Sequence, residues 1–238
     1  GAKQVVIYSF ENYEIWDYSS GKIKKLSAPF CFGQYSIFAP LAANRVASIG
    51  IPQKDGKLDI CELSSGTVLT SLKQDFTGIT STAIGRSGDG YWIAAGDCTG
   101  EIAFWDARSG EKLRSQPAHT GCITSMAFNA DGSLLVTGGE DKQVVLWTVS
   151  PSGVEKRLTY AHPEAVVDVA LSYDGDVVAS ISQNQLQVWN TLSAETIQTT
   201  AVKEAQAVTL GPGGWLSYMD AEIIYWDDTF HPDAMYLP

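Results

Sequence analysis

The sequence predicts an all-β chain built from six copies of one unit, and three observations carry that prediction. An apolar run ending on an aromatic or thiol side chain recurs along the chain: Tyr-Glu-Ile-Trp16-Asp17, Lys-Leu-Asp-Ile-Cys61-Glu62, Ile-Ala-Phe-Trp105-Asp106, Val-Val-Leu-Trp147-Thr148, Leu-Gln-Val-Trp189-Asn190 and Ile-Ile-Tyr-Trp226-Asp227. Trp16, Cys61, Trp105, Trp147, Trp189 and Trp226 stand 45, 44, 42, 42 and 37 residues apart, the spacing of a repeat architecture. Each unit holds short β-branched runs punctuated by Gly, Asp, Ser or Pro, which read as strands and turns. No stretch keeps the apolar period of a helix.

Taken in order, residues 5–10 read as the second strand of a unit, so the first unit has three strands. Its last is the Lys22-Ile23-Lys24-Lys25 run, an outermost strand whose lysines guard an edge against pairing. The second and third units place Cys61 and Trp105 on their third strands. The fourth unit is the clearest, with strands at 123–128, 134–137, 144–149 and 155–159 and turns at Asp131-Gly132, at 138–141 and at 151–153. The fifth repeats it, with 166–172, then Tyr-Asp-Gly, then 176–180. The sixth runs from 207–210 to a third strand at 223–227, and the prolines in 229–238 leave room for at most one weak edge strand.

A period of this length, with four strands per unit and a Trp-Asp ending, resembles the WD40 repeat family. The resemblance covers essentially the whole chain. It implies a β-propeller over residues 1–238, a single domain of about six four-stranded blades. The strand count leaves the propeller incomplete or open at its seam, and seven blades would result if missing segments or a partner supplied the rest. The physics agrees: one four-stranded sheet cannot bury both faces alone, whereas stacked sheets bury each face on a neighbour and leave short edges. Cys61 replaces a tryptophan, and Thr148 and Asn190 replace the terminal aspartate, which marks a divergent member.

His119, Thr137, Asp141 and Trp147 fall in the fourth unit, and a histidine, a hydroxyl and a carboxylate together suggest nucleophilic catalysis. The family resemblance implies a different role, a structural tetrad in which the carboxylate and the hydroxyl hold the imidazole and the hydroxyl reaches the indole. The fifth unit repeats it in weakened form as His162, Ser180, Asn184 and Trp189. A reactive site is not expected twice at the repeat period. His231 is expected to face solvent.

Other features narrow the chemistry further. The net charge is −11, and it is uneven: residues 1–60 carry seven Lys/Arg and five Asp/Glu, the remainder nine and 22. Such a surface repels phosphate, so nucleic acid is not expected as a direct partner. It is expected as a solvated surface or as a docking face for a basic partner. Cysteines stand at 31, 61, 98 and 122 without a C-x-x-C pair, beside only three histidines. No zinc site is therefore expected, and the thiols are expected to be free and buried in a reducing, intracellular compartment. No phosphate-binding glycine motif and no calcium loop occurs, so no cofactor is expected. No run of 18 apolar residues calls for membrane insertion, and no signal peptide is visible. The Gly-Ala-Lys opening, without methionine, is expected of a chain that begins inside a longer protein or carries a cloning remnant.

The resemblance also implies a docking surface, the face formed by the loops entering each blade and by the turns between second and third strands. Projected onto this sequence, that face holds Phe32, Gln34, Lys54, Thr80, Cys98, Cys122, Thr124, Glu140, Val167, Gln183, Glu204, Gln206 and Met219. It has neither an aromatic cage nor an arginine cluster, which disfavours readers of methyl-lysine and of phosphopeptides. The expected function is a non-catalytic scaffold for other proteins or peptides, one of which adds a strand or blade in trans. The alternative is a propeller hydrolase with a site at its central channel, where the first strands offer Asp168 and little else.

Overall fold

In the computed structural model the described residues are 4–9, 12–17, 21–26, 36–42, 45–50, 58–62, 67–72, 78–88, 90–211 and 216–219. They form antiparallel sheets in which sequence neighbours pair. The first sheet has three strands, β1 (Gln4–Ser9), β2 (Asn12–Asp17) and β3 (Lys22–Leu26). Three sheets of four follow: β4 (Ser36–Ala42), β5 (Arg45–Gly50), β6 (Leu58–Glu62) and β7 (Val68–Leu72); β8 (Ile79–Ser87), β9 (Gly90–Asp97), β10 (Glu101–Asp106) and β11 (Lys112–Pro117); β12 (Ile123–Phe128), β13 (Leu134–Gly139), β14 (Gln143–Ser150) and β15 (Gly153–Ala161). A further four-stranded sheet comprises β16 (Asp168–Leu171), β17 (Val177–Ile181), β18 (Gln185–Asn190) and β19 (Thr196–Ala201), and the hairpin of β20 (Ala207–Leu210) and β21 (Leu216–Met219) comes last. The expected strand at 223–227 with Trp226, the tail at 229–238 and closure of the seam lie outside the described residues.

The chain divides into two compact units, Gly1–Ile79 with Ser109–Lys112, and Thr80–Arg108 with Leu113–Pro238. In the first, the order β1-β2-β3 leaves β3 at an edge of its sheet, with Lys22 and Ile23 exposed, in keeping with the guarded edge expected of the lysine run. In the second, alternation along the strands assigns the two faces of each sheet to two neighbours. Leu135, Val145, Trp147 and Val149 pack with Trp92, Ala94, Ile102 and Phe104 of the preceding sheet. Val136, Val144 and Leu146 pack with Val169, Val178 and Trp189 of the following one. The next layer joins Ala179, Ile181 and Val188 to Val208. Both faces are covered, which is why β13 and β14 read as nearly continuous apolar runs.

The last strand of a sheet touches water. In β11, β15 and β19 most residues are exposed or half-buried, so their polar character is the cost-free choice. A register shift between third and fourth strands falls immediately before the repeated position, at Ile60/Cys61, Leu146/Trp147 and Val188/Trp189. The extra residue lies on the fourth strand and bends it locally; in the fourth and fifth units this is beside the buried Trp147 and Trp189. The first strand of the fifth unit is shorter than the expected 166–172. It begins at Asp168, and the Val166 amide before it leaves its own sheet to donate to the Gly139 carbonyl at 3.1 Å.

Candidate functional site

The fourth unit brings its four expected residues together. His119 stands in the loop entering β12, Thr137 on β13, Asp141 in the β13–β14 turn and Trp147 on β14. The imidazole lies 2.9 Å by Nδ1 from Asp141 Oδ1 and 2.8 Å by Nε2 from Thr137 Oγ1, and the indole N–H donates to the same hydroxyl at 3.0 Å. Donors and acceptors match for a neutral ring: Nδ1–H donates to the carboxylate, and Nε2 accepts the Thr137 proton. Asp141 also accepts the amides of Thr120 at 2.9 Å and Gln143 at 3.1 Å. Burial lowers the His119 pKa more than the bond and charge of Asp141 raise it. Burial also pushes the Asp141 carboxyl up, but the Thr120 amide, His119 and the Gln143 amide together hold it below the usual range.

This group has the residue types of a catalytic triad without its accessibility. Thr137 is 0% and His119 6% exposed, and the hydroxyl is occupied by the imidazole and the indole. A nucleophile needs an open approach and a free lone pair. What the network does is tie a loop to a hairpin and satisfy buried polar groups.

The fifth unit is built differently. Trp189 Nε1 donates to Ser180 Oγ at 3.1 Å, but both ring nitrogens of His162 lack a partner although the residue is only 4% exposed. Asn184, expected beside His162, instead donates to Glu164 at 2.9 Å. The reason lies two positions earlier in the turn. In the fourth unit that position is Gly139, where a Cβ would fall 2.5 Å from His119 Nδ1 and 2.7 Å from Asp141; only glycine leaves the cradle open. The fifth unit has Ser182 there, fully buried, and its hydroxyl accepts the Gln185 amide at 3.1 Å. The third unit has Asp97, which accepts the Thr99 and Glu101 amides. A side chain that caps the turn occupies the space of the imidazole. Burial lowers the His162 pKa against the opposing charge and backbone of Glu164.

Sequence reasoning missed a second polar network, on the first strands of consecutive sheets. Thr80 Oγ1 donates to the Ile123 carbonyl at 2.7 Å. Ser125 Oγ donates to Asp168 Oδ1, and the Val208 amide donates to Asp168 Oδ2 at 2.9 Å. Both oxygens of the one carboxylate considered for a hydrolase are therefore spent between sheets. The signal was present: Ser125 and Asp168 are 43 residues apart, one repeat.

The expected docking residues divide by availability. Glu140, Gln183, Glu204 and Gln206 are exposed and Val167 is half-buried. Thr80, itself exposed, shares its one hydroxyl proton between the Ile123 and Gly96 carbonyls at 2.7 and 3.1 Å, and Thr124 donates to the Gly138 carbonyl at 3.0 Å. The expectation of free thiols fails at Cys98 and Cys122, which form a disulfide with an S–S distance of 2.02 Å between the β9–β10 turn and the loop entering β12. Two loops of adjacent sheets meet there, since the Ala118 and His119 amides both donate to the Gly100 carbonyl, at 2.9 and 3.1 Å. Phe32, Gln34 and Lys54 lie outside the described residues. Cys61 and Met219 are placed on β6 and β21 by their backbones. Among the described residues no group of three or more His, Cys, Asp or Glu is placed to hold a metal ion, and no helix is long and apolar enough to cross a membrane.

Comparison with known proteins adds three findings. The family model described as "WD domain, G-beta repeat" matches residues 110–148 and 154–190. Among curated proteins, the Arabidopsis thaliana protein ROOT INITIATION DEFECTIVE 3 is 22% identical over 153 residues, 58% of this chain and 35% of that protein. The periodic tryptophan protein 2 homolog of Schizosaccharomyces pombe is 37% identical over 92 residues, 38% of this chain and 10% of that protein. The chain thus spans about a third or less of the length of these relatives. A chain from the crystal structure of a mitotic checkpoint complex superposes with a TM-score of 0.74 at 19% identity, over 94% of this chain and 70% of that one, so the fold is that of a β-propeller.

Proposed function

We propose, from the premise that this chain is a WD40-repeat protein with a β-propeller fold, that it acts as a non-catalytic scaffold within a multiprotein assembly. Proteins of this family typically serve as interaction scaffolds. The observation that carries the reading here is the fate of the two reactive-looking groups. The His119–Thr137–Asp141 set is sealed by Trp147, and each oxygen of Asp168 accepts a hydrogen bond, from Ser125 and from Val208. Side chains with the chemistry for hydrolysis are committed to joining loops and sheets, while Glu140, Gln183, Glu204 and Gln206 are exposed on turns and loops.

The docking face in this proposal is the end of the sheets that carries the β13–β14 and β17–β18 turns, with Glu140, Gln183, Glu204 and Gln206 as its accessible residues. Thr80 and Cys98 are exposed on the same face, and Thr124 and Cys122 are half-buried there; their hydroxyls and the disulfide hold the loops in place. The net charge of −11 suits protein partners over nucleic acid. The test is affinity capture with tagged wild type and with a Glu140→Lys, Gln183→Lys, Glu204→Lys triple variant, compared by quantitative mass spectrometry. The triple variant is expected to lose the principal partner while its unfolding midpoint stays within about 0.5 kcal/mol per site. Retention of every wild-type partner by the triple variant would remove this face from the proposal.

A further inference from the structure

The opposite end of the same sheets carries a feature that neither the repeat nor the tetrad explains. There the β8–β9, β12–β13 and β16–β17 turns overlap. The Ala130 amide donates to the Tyr173 carbonyl at 3.1 Å, and Gly132 lies so close to Arg86 that a Cβ would fall 1.8 Å from its carbonyl oxygen. The turns line a shallow, open cavity of about 410 Å³ formed by Arg86, Gly88, Ala130, Asp131, Tyr173 and Asp174.

Tyr173 is 66% and Leu192 72% exposed, the highest values among the large apolar side chains described. Their turns are joined, because Thr191 donates by its amide to the Asp176 carbonyl at 2.9 Å and by its hydroxyl to the Gly175 carbonyl at 2.7 Å. Exposed apolar surface beside a cavity marks a place where something binds. The charges say what kind. Asp131 and Asp174 each use Oδ1 to accept an amide of their own turn, Ser133 at 2.9 Å and Asp176 at 3.1 Å. Hydrogen bonds led by the Ser133 and Ser172 side chains hold both carboxyls below the usual range, so both are ionised at neutral pH.

We propose that this cavity docks an arginine side chain from a segment of a partner protein, with an apolar neighbour of that arginine covering Leu192. A guanidinium carries five donors in a flat fork, enough for two carboxylates on separate turns, and its face can lie on the Tyr173 ring. A lysine ammonium matches the charge but has no flat face to stack. Arg86 gives the site a direction: it repels a second cation at the β8–β9 side and favours an acidic residue there. The recognised pattern is acidic, arginine, apolar. The turns are held by their own hydrogen bonds, so the site is formed before the partner arrives. This adds a second face to the scaffold reading, and a scaffold with two occupied faces bridges two proteins.

The test is an NMR titration of the nitrogen-labelled full chain with the blocked peptide acetyl-Gly-Glu-Arg-Leu-Gly-amide. Saturable shifts are expected at the amides of Arg86, Ala130, Tyr173 and Leu192. The peptide with glutamine in place of arginine should bind at least about tenfold more weakly, and the lysine peptide should fall between. Asp131→Asn combined with Asp174→Asn keeps an oxygen to accept each turn amide and removes both charges, and it should cost about tenfold in affinity, as should Tyr173→Ala. Glu155→Lys, on the exposed outer strand β15 and in neither docking face, should change nothing. The proposal is overturned by absence of saturable shifts, by equal binding of the glutamine peptide, by full affinity in the double asparagine variant, or by an equal loss in Glu155→Lys, which would signal general attraction to an acidic chain. None of these outcomes bears on capture through Glu140, Gln183 and Glu204.

Discussion

His119 and His162 occupy the same position in consecutive units, and the structure gives them opposite energetic roles. Removing His119 strands the Asp141 carboxylate and the Thr137 hydroxyl, so His119→Ala is expected to destabilise the fold by about 1–3 kcal/mol in chemical denaturation. His162 strands nothing, because neither of its nitrogens has a partner. His162→Phe removes two unsatisfied polar atoms and keeps a ring in place, so it is expected to leave stability unchanged or raise it. A denaturation midpoint that falls as far in His162→Phe as in His119→Ala would refute the difference. Both imidazoles have folded-state pKa values lowered from 6.5. Below pH 6.5 the unfolded chain therefore binds more protons than the folded one, and stability falls as pH drops toward the lowered values. A second loss begins below pH 3.8, where Asp131, Asp141 and Asp174 are held in their charged form. Thermal midpoints measured from pH 7 to pH 3 should show both steps, and His162→Phe should shrink the first. The residues of the fourth-unit tetrad were legible in the sequence because four side-chain types stand at the spacings that the WD40 resemblance implies. The failure of the fifth was not, because the deciding residue is none of the four. It is Ser182 standing where Gly139 stands, and its effect is steric.

At the level of strands and turns, the β17–β18 turn is one residue shorter than the β13–β14 turn: Ile181 pairs with Leu186, whereas Gly138 pairs with Val144. The longer turn passes through a left-handed residue, Lys142 with φ 65°, and the same place in the third unit is Gly100 with φ 79°. Turn length does not follow the capping residue: the third unit keeps the longer turn, with Gly96 opposite Ile102, although Asp97 stands where Gly139 does. Strand existence was legible because β-branched runs and Asp-Gly punctuation act locally. The joins between sheets were less legible, because they depend on which first strands lie side by side. Asp168 shows this: read alone it was a candidate acid, and in the structure it accepts from Ser125 on one neighbour and from Val208 on the other. Asp168→Ala leaves a hydroxyl and an amide without an acceptor and is expected to cost about 3 kcal/mol, while Asp168→Asn, which can still accept one of them, should cost less. Equilibrium unfolding of both variants checks the order, and equal, negligible losses would show that the joins carry no stability.

For the molecule as a whole, the covalent link between Cys98 and Cys122 closes a loop of sequence separation 24. A loop of that size restricts the unfolded chain enough to be worth about 3 kcal/mol. Reduction, or the paired change Cys98→Ser and Cys122→Ser, is expected to lower the unfolding midpoint accordingly, with thiol titration confirming the redox state; wild type indifferent to a dithiol that demonstrably reduces it would contradict this. The spacing of the cysteines gave no hint of the pairing, because it is the overlap of two loops from adjacent units that brings them together. The Asp168 joins have a consequence for how such a chain can be rearranged over generations. Repeat proteins grow and shrink by copying or deleting whole units, and that works best when each unit offers its neighbours the same connections. Among the described residues, Asp168 of the fifth unit supplies the acceptor that both the fourth and the sixth use, so deleting that unit would take the acceptor from the Ser125 hydroxyl and the Val208 amide at once. Duplicating it would set one carboxylate against another. That unit is fixed in number and in order, while a unit without such a residue remains free to be exchanged.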